Sequence, residues 1–95
     1  MKCVKGIVAG RVQMVGFRRF VRSHAQAHDV KGYANNRADG CVEVLLCGEA
    51  DAVRRVQQQV EKGPSRSVVE RVEWLEQPGK SAALTDFTVG WTDPD

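Results

Sequence analysis

No stretch of this chain approaches the ~20 consecutive apolar residues of a membrane span, so nothing is expected to cross a bilayer as a helix. The start is basic, but Lys5 and Arg11 break its apolar run before it reaches the length of a signal segment, and no targeting segment is expected. An excess of one charge is missing too. Fourteen Lys and Arg stand against twelve Asp and Glu, a formal net charge of +2, with both signs interspersed. Bulk attraction to nucleic acid or an anionic surface is therefore not expected. Cysteine is scarce and odd in number, at Cys3, Cys41 and Cys47. That is not a secreted disulfide scaffold, and it places the chain in a reducing compartment, the cytoplasm. Cys41 and Cys47 cannot bridge within one strand, where six residues separate them by ~20 Å, and read as small packing residues.

What is present is an ordinary globular composition. Apolar types make up 42% of 95 residues and charged types 27%, enough to bury a core but only for one domain, residues 1–95 with an ordered part from about 3 to 91. Two segments have helical periodicity. Phe17, Phe20, Val21, Ala25 and His28 fall on one helix face, and Ala52, Val53, Val56 and Val60 on another, stopped by Gly63-Pro64. Strands are expected near 3–10, 30–36, 41–47, 68–76 and 85–91, with a turn at Asp39-Gly40. Gln77 to Ser81 reads as a further turn and Thr92 to Asp95 as a tail. This βαββαβ order plus a C-terminal strand predicts a ferredoxin-like α/β sandwich, with a mainly antiparallel five-stranded sheet and both helices on one face. A right-handed first crossover makes strands one and two parallel. The segment 11–18 and the residues near 36 then share one edge of the sheet.

That edge carries the candidate chemistry. Gly10 to Arg18 joins a strand to a helix, and such a loop aims unpaired N–H groups, with the positive end of the helix dipole, at one point. Arg18 opens the helix beside it with a guanidinium able to grip two phosphate oxygens. From these residues alone the loop is either an anion cradle or a plain connection with a solvated arginine. It is no Walker loop, since Gly10 and Gly16 are too far apart and no Lys-Ser or Lys-Thr follows. Asn35-Asn36 ends the second strand, either as turn formers or as an amide that holds a water in line with a bound phosphorus. Strand alternation lets only one of the two face the helices.

The run Val8-x-Gly10-x-Val12-Gln13-x-Val15-x-Phe17-Arg18 closely resembles the first signature of the acylphosphatase family. Gly32-Tyr33-Ala34-x-Asn36-x-x-x-Gly40-x-Val42, followed by Gly48, resembles the second. The likeness continues weakly through Gly63-Pro64 and Val69 to Val72. The resemblance implies a hydrolase that splits acyl phosphates into a carboxylate and inorganic phosphate without metal or cofactor. It implies Arg18 as the phosphate-binding residue, Asn36 as the residue that positions the attacking water, and backbone N–H groups of Met14, Val15, Gly16 and Phe17 as the cradle. The expected partners are the acyl phosphate and inorganic phosphate as product and inhibitor, with no nucleic acid, no membrane and a monomeric chain. The chain departs from the family pattern at three places. Met14 replaces a usual glycine, which would cost ~1–2 kcal/mol at positive φ and reduce activity. His28-Asp29 replaces a usual Leu-Gly and predicts a poorer helix end. Gly90 stands where a basic residue is common, which removes a side chain that could support the site.

Other constellations are weaker. His24 and His28 lie four apart on the first helix, but no third ligand accompanies them, and they read as surface histidines. Lys31-Gly32-Tyr33-Ala34 resembles the opening of an RNA-recognition motif, yet Asn35 and Ala38 stand where stacking aromatics are needed. The alternatives to hydrolysis are thus an RNA-binding or a non-catalytic anion-binding module of the same fold.

Overall fold

The computed structural model describes residues 1–78 and 84–92, so residues 79–81 of the expected turn and 93–95 of the expected tail lie outside the described residues. The element order is β1 (Lys2–Arg11), α1 (Phe17–Ala27), β2 (Lys31–Asn36), β3 (Val42–Gly48), α2 (Ala50–Lys62), β4 (Val68–Glu76) and β5 (Phe87–Trp91). This is the expected order, with boundaries displaced by no more than two residues. The sheet runs β4-β1-β3-β2-β5. Three pairings are antiparallel and β2 with β5 is parallel, which gives the mostly antiparallel sheet of a ferredoxin-like sandwich.

Both helices form because burial supports them, not because they are strong helix formers in isolation. In α1 the buried residues are Phe17, Val21 and Ala25, and in α2 they are Val53, Val56 and Val60. These stripes close over Val4, Val8, Val42, Val44, Leu46, Ala34 and Phe87 of the sheet, and complete removal of each large side chain from water contributes about 1.5–3 kcal/mol. His28 does not belong to the stripe. It is exposed at the C-cap of α1, where the periodicity has already ended.

β1 and β2 both pair antiparallel to β3, so they run parallel to each other with β3 between them. Their registers place Val72, Val8, Val42, Asn36 and Trp91 in one row across all five strands. The C-terminal ends of β1, β2 and β5 and the N-terminus of α1 therefore meet at one edge.

The cysteine expectation is corrected here. Cys3 and Cys47 form a disulfide, with Cα atoms 4.1 Å apart. They are 44 residues apart in sequence but directly opposite in the β1–β3 register, and both point to the helix-free face beside Leu45 and Tyr33. Cys41 remains a free thiol; burial, then the nearby Asp39 carboxylate, push its pKa up.

Candidate active site

The loop from Val12 to Gly16 leaves β1 through a register shift between Ala9 and Gly10. Gly10 has φ 130, and a Cβ there would collide with the Val68 carbonyl of β4, so only glycine lets the two strands stay this close while the chain turns. Met14 (φ 63) and Gly16 (φ 78) then take left-handed conformations, which fold the segment back into the first turn of α1. Gly16 is the N-cap and offers no side chain to the helix, and the first turn contains no acidic residue. The Gly16 carbonyl accepts from Phe20 N (3.0 Å), while the N–H groups of the first turn have no intrahelical acceptor. Partial positive charge at this helix end is thus neutralised by neither cap nor carboxylate.

A cleft of about 330 Å³ opens over these groups, lined by Val12, Met14, Gly16, Phe17, Arg18, Arg19 and Val89. Its floor is Val12 and Phe17, both buried, and its cationic wall is Arg18. Arg18 Nη1 donates to the Gly90 carbonyl of β5 at 2.7 Å. One edge of the guanidinium is thereby tied to the sheet, and its other N–H groups remain for an anion. Support from the terminal strand, which the glycine at 90 had removed from the sequence reading, comes from the main chain.

Asn36 is the buried polar residue of the described core, 3% exposed, at the end of the row that begins Val72, Val8 and Val42. Alternation puts it on the helix side with Gly32 and Ala34, whereas Asn35 faces away. Its Oδ1 is buried with no hydrogen-bond partner among the described residues. An unpartnered buried acceptor costs about 1–3 kcal/mol, which a bound water or ligand would offset. Asn36 does not line the cleft itself. It lies beside it, because Trp91 is its partner on β5, Thr92 N donates to its carbonyl (2.8 Å), and the preceding Gly90 holds Arg18.

Gln13 braces the loop in a way that sequence reasoning did not draw out. Its Nε2 donates to the carbonyls of Arg37 (2.8 Å) and Cys41 (2.9 Å), clipping the loop to the turn that follows Asn36. A polar amide between Val12 and Val15 in a loop was the available signal. The turn is braced in its own right. Asp39 Oδ1 accepts from Cys41 N (3.0 Å), and that bond, with the Arg37 guanidinium, holds the Asp39 carboxyl below its usual pKa.

The set-aside residues have local partners. His24 packs edge-on against Phe20 with centroids 4.6 Å apart. Tyr33, the residue of the RNA-like segment, donates to Glu43 Oε2 at 2.5 Å on the helix-free face; burial, then this bond, raise its pKa far above the usual range. A carboxylate fixed beside that ring disfavours a nucleic-acid phosphate.

A model of the acylphosphatase family matches residues 4–89. An acylphosphatase of Chromohalobacter salexigens is 53% identical over 72 residues, which cover 76% of this chain and 80% of the relative. One from Rhodopseudomonas palustris is 44% identical over 77 residues, covering 81% and 76%. Among solved structures, the acylphosphatase of Bacillus subtilis superposes with a TM-score of 0.88 at 34% identity, covering 94% of this chain and 98% of the other. An acylphosphatase of Coxiella burnetii gives 0.84 at 33% identity, covering 93% and 90%.

Proposed function

This chain belongs to the acylphosphatase family, and we propose that Arg18, the main-chain amides of Met14 to Phe17, and Asn36 are the groups with which it works. It is an acyl phosphate hydrolase, which converts the mixed anhydride to a carboxylate and inorganic phosphate. In the proposed mechanism the phosphoryl oxygens lie on the amides of the loop and on the free edge of Arg18. Asn36 Oδ1 accepts a hydrogen from a water and so aims its lone pair at phosphorus. The new P–O bond forms as the bond to the acyl oxygen breaks, the electron pair leaves on the carboxylate, and both protons of the water end on phosphate.

A carboxylate is a good leaving group, so no side-chain base, covalent nucleophile or metal is needed. Positioning and charge stabilisation suffice. The observation that carries this reading is the buried, unpartnered Asn36 Oδ1 beside the tethered guanidinium. The reading takes residues 1–95 as one domain and the active species as a monomer, since a single chain supplies every group named. Inorganic phosphate is then a competitive inhibitor, because it fills the same cradle. Acyl phosphates as activated metabolites argue for a cytoplasmic enzyme.

The test is turnover of a synthetic acyl phosphate by the purified chain in excess chelator. Asn36→Ala is expected to abolish most turnover while leaving inhibition by inorganic phosphate nearly intact. Loss of phosphate inhibition instead would reassign Asn36 to binding.

A further inference from the structure

Resting on the hydrolase reading above, we propose that Met14, with Val89, forms an apolar rim that makes the enzyme prefer acyl phosphates with bulky apolar acyl groups, aryl or branched alkyl. Met14 lines the cleft and is 99% exposed, so its side chain contributes nothing to the core. It also sits at φ 63, where any residue with a Cβ is disfavoured relative to glycine. A residue that is strained and unpacked is explained when its side chain is used at the site it borders.

The geometry of displacement says for what. Asn36 holds the water from the buried side, and in-line attack puts the departing carboxylate on the opposite, solvent side of phosphorus. The acyl group therefore projects toward the mouth. There Met14 supplies a flexible thioether that adapts to irregular apolar shapes. Val89 lines the same cleft from β5. Arg19, also at the cleft, adds positive potential that favours the phosphoryl anion rather than an uncharged acyl group.

The experiment compares kcat/KM for benzoyl phosphate and acetyl phosphate in the natural chain, Met14→Gly and Met14→Gln. Met14→Gln keeps the length and the backbone strain but removes the apolar character. The benzoyl-to-acetyl ratio is expected to fall about fivefold in both Met14 variants, as expected for losing part of an apolar contact. A ratio unchanged in both Met14 variants overturns the rim. A ratio that falls with glycine but not with glutamine reports backbone relief and overturns it as well. Failure of the natural chain to hydrolyse either compound would instead remove the hydrolase reading on which the rim stands.

Discussion

Arg18 and Asn36 would fail in different ways. In the proposed mechanism Arg18 would meet phosphate in the ground state and in the transition state, where charge shifts onto the phosphoryl and leaving oxygens, so its removal would act on both kinetic constants. Arg18→Gln is expected to raise KM and lower kcat, with a combined loss in kcat/KM on the order of a hundredfold or more, as for charge-assisted bonds in other sites. Steady-state kinetics with an acyl phosphate checks this, and unchanged constants would remove Arg18 from the mechanism. The positions of both residues at this sheet edge were legible in the sequence. The strand-loop-helix spacing marks Arg18, and strand alternation admits one asparagine of the pair to the helix side. The Gly90 acceptor was not legible, because every residue carries a carbonyl and nothing in its type announces a bond to a side chain 72 residues away. The positive φ that would make Met14 costly was foreseen from the glycine usual at its position, and the backbone adopts it.

At the scale of elements, α1 carries the site at one end and a weak stop at the other. Val30 N returns to the Ala25 carbonyl (2.8 Å) and Asp29 N to that of Gln26 (3.2 Å), a left-handed helix end with Asp29 at φ 56. A side chain is disfavoured there, and a carboxylate at a helix C-terminus opposes the dipole. The Lys31 Nζ ion pair with Asp29 Oδ1 (3.0 Å) is solvent-exposed and offsets little. Asp29→Gly is therefore expected to stabilise the fold by about 0.5–1 kcal/mol, raising Tm by a few degrees with kcat unchanged, since this end of α1 is remote from the cleft. Denaturant unfolding at constant m measures it; a lower midpoint would show that the ion pair outweighs the strain. The Gln13 clip belongs to this scale as well. It joins a loop to a turn 24 and 28 residues away, and only the folded sheet edge puts them within reach.

For the whole molecule, the Cys3–Cys47 bridge closes a long segment that contains α1, β2 and most of β3. Constraining a loop of this length in the unfolded chain contributes about 2–4 kcal/mol. Cys3→Ala/Cys47→Ala, or treatment with reductant, is expected to lower stability by that amount and to leave turnover intact, because the bridge lies on the sheet face away from the helices and the cleft. Equilibrium unfolding with and without reductant reads the first effect and the hydrolysis assay the second; an unchanged midpoint would show that the two sulfurs contribute only by packing.

Local information determined most of what this protein is. Hydrophobic periods of 3.6 and 2, glycine-marked turns and two spaced signatures specify the element order, the helix faces and the residues that carry charge to the cleft, because each depends on neighbours within about a dozen positions. The tertiary structure alone decided which distant groups meet: Arg18 with a main-chain carbonyl, Gln13 with two more, Cys3 with Cys47, and a buried amide oxygen left without a partner. Strand register sets those meetings, and register is a property of the assembled sheet that no single segment contains.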